Sequence, residues 1–308
     1  MKAIGFNSFG SPDVLTWMEF ETPQAGPGEV RVRVKAAGVQ PADCAVRSGW
    51  RLPGMTVELP HITGNEFAGV VDQVGEGVNA FAVGAEVLGF RFQRCYAEYV
   101  IAPADQIVTK PRGMSWAVAG GLSASGQTAL TALDELRIGR GDTVLINGAA
   151  GGVGTVAVQL AAYRGATVIG TAGEANREYL RELGAIPVAY GEGLAERVRA
   201  FAPGGVSAAF DAAGAGALRA MAELVDDKER IGTIVDYKLA EELGVRAIRG
   251  TRSAAKLAEL TKLYAAGELR IHIRHTLPLE AAAEAHREIE TGHGRGKIVL
   301  TVGPDQDE

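Results

Sequence analysis

Cysteine is scarce in this chain of 308 residues, where it occurs only as Cys44 and Cys95. Two thiols cannot build a disulfide scaffold or a four-thiolate zinc site. We expect both thiols to stay reduced.

Long apolar runs are also missing, so no segment has the length that a membrane-spanning helix needs. Met1 leads directly into a strand-like segment instead of a charged and then apolar leader. We therefore expect a cytoplasmic protein.

An excess of basic charge is absent as well. The chain has 31 Lys and Arg against 37 Asp and Glu, a formal net charge of −6, and its basic residues are scattered. Nucleic acids and anionic membranes attract clustered positive charge. We expect neither as a partner and look instead to a small molecule.

The chain does have length and glycine. At roughly 150 residues per domain, 308 residues predict two domains. Hydrophobic residues make up 47% and charged residues 22%, the balance of an ordinary globular protein. The 41 glycines belong in turns and at close backbone approaches.

The first 110 or so residues have β-like patterns. Glu29–Lys35 alternates apolar and charged residues, which indicates a half-buried strand, and Gly69–Gly77 and Tyr96–Ile101 read as further strands. Frequent glycine and proline between them favour a small, irregular β-barrel.

Beyond about Ser115, apolar strand segments alternate with helical ones, which predicts βαβ units and a parallel sheet. The last stretch returns to a strand at His275, a helix over Pro278–Thr291 and a closing strand, Lys297–Val302. The strand candidates of the βαβ region are Thr143–Ile146, Ala166–Ile169, Pro187–Tyr190, Val206–Phe210, Arg230–Val235 and Val245–Ile248.

A glycine-rich segment follows the first of these strands and opens a helix. The glycines at 148, 151, 152 and 154 permit a tight turn and let backbone N–H groups approach a pyrophosphate at the helix N-terminus. Since Ala149 interrupts the strict motif, a purely structural turn is the alternative. The predicted dinucleotide contacts are Gly148, Ala149, Ala150, Gly151, Gly152, Val153 and Gly154.

The end of the second strand bears on which dinucleotide binds. An NAD site places an acidic residue there, whereas this chain has Thr171, Ala172 and Gly173. These small residues leave room for a 2′-phosphate, and Arg177 could pair with it. We predict NADPH. Alternatively, Arg177 is a solvated helix residue and Glu174 holds a ribose.

Several motifs together resemble the medium-chain dehydrogenase/reductase superfamily, in its zinc-independent NADPH:quinone oxidoreductase branch. The resemblance implies an α/β protein: a GroES-like β-barrel catalytic domain over 1–114, completed by 272–308, and a doubly wound Rossmann sheet over 115–271. The segments that carry it are Ala37–Asp43 with Arg47–Gly49, Gly64–Gly75, Tyr96–Val100, Gly148–Gly154 and Gly296–Leu300.

Zinc members of this superfamily have a ligand Cys in the segment matching Gln40, a ligand His in the segment matching Asn65, and a further Cys near Gly120. All three ligands differ here. We therefore expect no metal site.

The resemblance also implies a set of cleft residues. Gln40 stands where the branch usually has Asn, close to the nicotinamide and the substrate carbonyl. Trp50, Phe92 and Tyr237 are candidate pocket walls, with core packing as the alternative, which applies to Tyr190 as well. The remaining cofactor contacts are Thr128, Thr171, Ala172, Gly173, Arg177, Tyr190, Asp211, Ala212, Ala213, Gly214, Val235, Asp236 and Tyr237.

The expected reaction is hydride transfer from NADPH to a quinone or an α,β-unsaturated carbonyl. No catalytic side chain is assigned, because the sequence shows no paired carboxylates or Ser/His/Asp set, and water can deliver the proton. Asp43 and Arg47, four apart, are expected to form an ion pair. The alternative function is a non-catalytic NADPH-binding redox sensor or structural protein.

An edge strand bears on assembly. Relatives of this branch commonly dimerise through their Rossmann sheets, and Val245–Ile248 is expected at such an edge, where it could pair with a second chain. We predict a homodimer, although Arg246 and Arg249 could protect the edge of a monomer.

Overall fold

The computed structural model describes residues 1–51 and 56–303. Its strands are β1 Lys2–Phe6, β2 Thr16–Glu19, β3 Glu29–Val39, β4 His61–Ile62, β5 Glu66–Val74, β6 Glu86–Phe90, β7 Tyr99–Pro103, β8 Ile107–Thr109, β9 Thr143–Asn147, β10 Thr167–Thr171, β11 Ala185–Val188, β12 Ala208–Asp211, β13 Ile231–Thr233, β14 Arg246–Ala247, β15 Ile273–Pro278 and β16 Lys297–Thr301. Its helices are α1 Pro41–Arg47, α2 Trp116–Glu135, α3 Gly152–Tyr163, α4 Arg177–Glu182, α5 Leu194–Phe201, α6 Ala217–Leu224, α7 Tyr237–Leu243, α8 Ala254–Ala265 and α9 Ala282–Glu290. No helix in these ranges is long and apolar enough to cross a bilayer.

The N-terminal sheet is organised around β3. Its alternating residues Val30, Val32 and Val34 are buried, as the sequence pattern predicts. The strand order is β15-β16-β3-β5-β6-β8, with β7 also paired to β3. Because β16 pairs antiparallel with β3, the C-terminal segment completes the N-terminal sheet. This arrangement confirms the predicted GroES-like fold, while the domain boundaries stay a prediction and residues 304–308 lie outside the described residues.

The second large sheet is parallel, with the order β11-β10-β9-β12-β13-β14. Each predicted βαβ strand segment overlaps one of these strands, and the doubly wound fold is confirmed. Successive β9 residues face opposite cores: Val144 and Ile146 join the core that contains α2 and α3 residues, whereas Leu145 joins the core that contains α5 and α6 residues. From β9 the chain first adds strands on one side of the sheet, β10 and β11, and then on the other, β12 to β14. Open α/β sheets bind ligands at such a switch point, which here lies between β9 and β12.

Several local expectations need correction. The ion pair expected between Asp43 and Arg47 is wrong, because the Arg47 guanidinium contacts Glu290 of α9 and Gly10 O instead. The helix expected from Pro278 begins at Ala282, after a 3-10 turn. Tyr190 lies two residues beyond the end of β11 and is 56% exposed, so it is not a core residue.

A buried histidine lies in the contact between α9 and the N-terminal sheet. His286 is 0% exposed, and its ring centroid is 5.8 Å from that of Tyr96. Among the described residues, neither ring nitrogen has a hydrogen-bond partner. Burial, assisted by the nearby Arg47 charge, lowers the pKa of His286 to about 3. The imidazole is therefore neutral in the folded protein.

We predict that His286→Phe stabilises the protein by about 1–3 kcal/mol, because it removes buried polar atoms that lack partners. Relative to His286→Phe, the unmodified protein should lose stability as the pH falls from about 6.5 toward 3, since its unfolded chain takes up a proton at His286 that the folded chain resists. Denaturant unfolding near neutral pH and at about pH 5 measures both effects. Equal losses of stability in the two proteins over this interval would contradict the assignment.

Candidate functional site

A chain of hydrogen bonds joins the carboxyl ends of four parallel strands. Asn147 of β9 donates to Asp211 of β12 over 2.8 Å and accepts from the Thr171 hydroxyl of β10 over 2.6 Å. The second Asp211 carboxylate oxygen accepts from Thr233 of β13 at 2.8 Å. The Thr171 hydroxyl also accepts from Gly148 N. These contacts hold the strand ends and the start of the glycine loop in one fixed arrangement.

The Asp211 carboxylate also shapes its own loop. Its Oδ1 accepts from Ala213 N at 3.1 Å and from Gly214 N at 2.7 Å. Since both carboxylate oxygens have protein donors, Asp211 organises the site, and this carboxylate is not free to hold a ribose. Ala212 extends the strand contact through a hydrogen bond from its N–H to Asn147 O.

The glycine loop depends on two of its glycines. Gly148 has a φ of +73°, a conformation that side chains rarely adopt. A Cβ at Gly154 would lie 2.1 Å from Gly148 O, so any larger residue would push helix and loop apart. Ala149 and Ala150 are buried beneath the turn, at 0% and 5% exposure. The sequence interpretation of a tight turn and a close helix approach therefore agrees with the geometry.

Helix α3 leaves its N-terminus uncapped by side chains. Gly151 is the N-cap and has no side chain to offer, and the helix continues through Gly152, Val153 and Gly154. The first N–H groups of a helix lack acceptors within it, and the helix dipole adds partial positive charge there. Backbone donors without Cβ obstruction at a helix N-terminus form a cradle that fits a pyrophosphate.

The adenosine end of a dinucleotide would meet the loop after β10. Ala172 and Gly173 leave this loop uncharged, and a Cβ at Gly173 would be 3.8 Å from the Tyr190 hydroxyl. Arg177 pairs with Glu174 at 3.0 Å and its side chain is 41% exposed. Arg177 and Glu174, which are alternative ligands of the dinucleotide in the sequence analysis, therefore form an ion pair with each other in the structure.

A second arginine lies at this loop, and the sequence interpretation missed it. Arg295 Nε donates to Asn176 Oδ1 at 3.0 Å, and its guanidinium stacks over Tyr179 at 4.3 Å. Arg295 precedes β16, far from Arg177 along the chain. Its proximity follows from the chain crossing between the sheets, which local patterns do not reveal.

A cavity opens between the loops that follow β11 and β12. Tyr190, Gly214 and Asn147 are among its lining residues. Val235 borders Gly214, with its Cγ1 3.3 Å from the position of a Gly214 Cβ. Asp236 is used as the N-cap of α7, where it accepts from Leu239 N. The cavity lies at the strand ends where the predicted cofactor residues cluster.

A buried carboxylate with several donors lies close to the glycine loop. Glu66, at 0% exposure, accepts from Lys297 Nζ at 2.9 Å and from Ala124 N at 2.6 Å. The Gln40 amide nitrogen also donates to Glu66. Gln40 is thus turned toward Glu66 and is 8% exposed. Glu66 and Lys297 belong to the segments that carry the family resemblance, and a charge among apolar strand residues is the signal that could have identified them.

A second buried carboxylate, Asp43, lies on α1. Asp43 accepts from Asn65 Nδ2 at 2.8 Å and from the Tyr96 hydroxyl at 3.1 Å. Burial raises the pKa of Asp43 to about 6, and hydrogen bonds from Asn65, Gln40 N and Tyr96 oppose part of that rise. The Arg252 guanidinium donates two hydrogen bonds to Asn65, one to its main-chain oxygen at 2.8 Å and one to Oδ1 at 2.7 Å.

The segments that carry ligands in zinc relatives have other contacts here. The Gln40 and Asn65 amides donate to carboxylates, and a Cβ at Gly120 would lie 2.7 Å from Ala36 Cβ. Within 1–51 and 56–303, no group of three or more His, Cys, Asp or Glu side chains is arranged to hold a metal ion. Burial raises the pKa of the Cys44 and Cys95 thiols.

The predicted pocket walls are not core residues. Trp50, Phe92 and Tyr237 are 45%, 52% and 40% exposed. Phe92 borders a cavity with His61. Thr128 lies on α2, with its hydroxyl 3.1 Å from the position of a Gly250 Cβ. Whether these residues contact a ligand stays a prediction.

Comparisons with known proteins agree with this geometry. The family model described as alcohol dehydrogenase GroES-like domain matches residues 26–112, and that described as zinc-binding dehydrogenase matches 183–300. The 2-haloacrylate reductase of a Burkholderia species is 32% identical, over 94% of this chain and 96% of that protein. The chain belongs to the medium-chain dehydrogenase/reductase superfamily.

Solved members of the superfamily share the whole fold. The quinone oxidoreductase of Coxiella burnetii has a TM-score of 0.88 at 33% identity, covering 98% of this chain and 99% of that one. The Escherichia coli quinone oxidoreductase complexed with NADPH has a TM-score of 0.84 at 25% identity, covering 98% and 100%. The predicted family resemblance is confirmed, and the chain is a member of an oxidoreductase family.

We predict that Gly154→Ala weakens NADPH binding by at least about 10-fold, because the added methyl would displace the loop that is predicted to hold the phosphates. Titration of NADPH by isothermal calorimetry measures the dissociation constant. Gly139→Ala is the matched control, since a Cβ there meets no atom within 4 Å. Unchanged affinity in Gly154→Ala would show that the loop does not hold the dinucleotide.

Proposed function

We propose that this protein is an NADPH-dependent oxidoreductase that reduces a quinone or an α,β-unsaturated carbonyl without zinc. The observation that carries the proposal is the glycine cradle at the start of α3, whose first residue, Gly152, lies against Lys297 and so close to the buried contact between Glu66 and Gln40. Bound NADPH would supply a hydride to an electron-poor carbon or quinone ring. The chain's own residues bind the phosphates, orient the acceptor and limit water.

The acceptor class is supported by the relatives named above, which are quinone oxidoreductases and a 2-haloacrylate reductase. The Gln40 amide can donate a hydrogen bond to a carbonyl or quinone oxygen, where negative charge develops during reduction. A small electron acceptor is therefore the proposed partner.

The proton that completes the reduction is assigned to solvent water. Asp43 and Glu66 are both 0% exposed and accept hydrogen bonds from protein donors, so neither is placed to deliver a proton. Zinc independence is supported by the residues at the three ligand segments. The matching region of the zinc-binding dehydrogenase model, 183–300, includes none of them.

The test is NADPH oxidation, followed at the nicotinamide absorbance, over a panel of quinones, alkenals and enones in the presence of a chelator. Turnover with at least one acceptor and no loss on chelation is expected. Tight NADPH binding with no turnover across the panel would favour a redox sensor or structural protein. Activity that disappears with removal of stoichiometric zinc would contradict the metal-free assignment.

Cofactor preference is proposed from charge at the loop after β10. Arg177 and Arg295 both lie at this loop, while Glu174 is paired with Arg177. A 2′-phosphate brings two negative charges and would compete well for these guanidinium groups. A bare ribose would gain no comparable contact from either arginine.

We predict tighter binding of NADPH than NADH and a narrower difference in Arg177→Ala. Loss of a charge-assisted contact costs about 1.5–3 kcal/mol, or roughly 10- to 150-fold in the dissociation constant. Arg181→Ala is the matched control, because Arg181 forms the equivalent pair with Glu178 one turn further along. Equal dissociation constants for the two cofactors in the unmodified protein would end the hypothesis.

A homodimer is proposed from the edge strand β14. Ile248 N donates to Thr233 O, so the N–H of Ala247, one residue earlier, faces the open edge. Arg246 turns back to Glu229 at 2.6 Å and Glu135 at 3.5 Å, which neutralises its charge within the chain. The edge can therefore pair antiparallel with its symmetry mate.

We predict a molar mass near twice the 32.2 kDa of the chain by light scattering at micromolar concentrations. Ala247→Pro should produce monomers, because proline removes the outward N–H donor. Ala247→Ser keeps that donor and should stay dimeric. A monomeric mass for the unmodified protein would refute the dimer.

A further inference from the structure

The Glu66–Lys297 ion pair is buried where the two large sheets meet. Their side chains are 0% and 4% exposed, and the Oε1 to Nζ distance is 2.9 Å. Lys297 Nζ also donates to Val39 O at 3.1 Å, and Glu66 Oε2 accepts from Ala124 N at 2.6 Å. The pair therefore connects β5, β16, the end of β3 and helix α2.

The surrounding backbone makes room for these two side chains. A Cβ at Gly38 would lie 2.0 Å from Glu66 Oε1, and a Cβ at Gly152 would lie 2.9 Å from Lys297 Cδ. Gly152 is the first residue of α3, in the phosphate cradle. The lysine side chain thus runs from the glycine loop to Glu66, to which Gln40 also donates a hydrogen bond.

The pair also fixes the orientation of the Gln40 amide. An ionised carboxylate can only accept hydrogen bonds, so the Gln40 nitrogen must face Glu66. The main chain of Gln40 is held separately, since Asp43 N donates to Gln40 O at 3.0 Å and Gln40 N donates to Asp43 Oδ2 at 3.0 Å. Among the described residues, the second N–H of this amide has no acceptor, and Gln40 is 8% exposed.

Stability alone does not explain such a pair. Burying two charges costs desolvation free energy that their attraction often does no more than repay, and uncharged replacements of similar volume are often as stable. Orientation of a neighbouring donor is a gain that uncharged replacements would not reproduce. A donor held rigidly before the reaction stabilises developing negative charge without reorganisation.

We propose that Glu66 and Lys297 are positioning residues, which hold the free Gln40 N–H toward the carbonyl or quinone oxygen of the acceptor. This role rests on the proposed reductase function. Negative charge grows on that oxygen as the hydride arrives at the acceptor, so the aligned N–H binds the transition state more tightly than the ground state.

The test uses the isosteric double variant Glu66→Gln/Lys297→Met, with NADPH and the best acceptor of the panel. We expect kcat to fall at least about 10-fold with KM within about 3-fold, the pattern of a lost transition-state contact. The thermal midpoint and the NADPH dissociation constant should stay close to those of the unmodified protein. Arg31→Met/Asp72→Asn, which removes an ion pair between β3 and β5 away from Gln40, is the control and should keep kcat.

A double-mutant comparison separates positioning from structure. In a Gln40→Leu background the same double variant should change kcat less than about 3-fold, because the residue through which it acts is gone. An equal loss in both backgrounds, or a double variant with full kcat, would overturn the proposal.

Two other outcomes are decisive. If the double variant does not fold, Gln40→Leu alone carries the test, and full kcat in that variant would overturn the proposal. If the unmodified protein turns over no acceptor, the proposed function fails and this role fails with it. Turnover in the unmodified protein combined with insensitivity to these substitutions removes the positioning role alone.

Discussion

The buried Glu66 carboxylate is the contact on which the rest of the cleft depends. It accepts hydrogen bonds from Lys297 Nζ of the last strand, from Ala124 N of helix α2 and from the Gln40 amide of the barrel. An unpaired carboxylate at 0% exposure would be strongly destabilising, so these donors must assemble around it. The orientation of the Gln40 amide follows from that requirement.

A second hydrogen-bond network lies at the carboxyl ends of the Rossmann strands. Thr171, Asn147, Asp211 and Thr233 join the ends of four strands, so the glycine loop starts from a rigid edge. The two networks meet at β16, since Gly296 N donates to Ala150 O in the glycine loop. Barrel and Rossmann sheet are thus held together at the point where a dinucleotide would lie between them.

Features that depend on residues close together along the chain could be predicted from the sequence. The parallel strands followed from apolar runs between helical segments, and the turn at Gly148 followed from glycine spacing. The roles of Arg295 and Lys297 were missed because both depend on the return of the C-terminal segment to the N-terminal sheet, far from its contacts along the chain. Asp211 was assigned to the cofactor, yet its carboxylate is satisfied by the strand ends, a contact set that spacing along the chain does not reveal.

The central claim is that this cleft transfers a hydride from NADPH to a small acceptor, and isotope transfer tests it most directly. NADPH carrying deuterium at the transferring C4 position is incubated with the protein and an enone, and the product mass is measured. We expect one deuterium on carbon in the product, with the second hydrogen derived from solvent water. A product without the label, or an acceptor that stays unreduced while NADPH is bound, would contradict it.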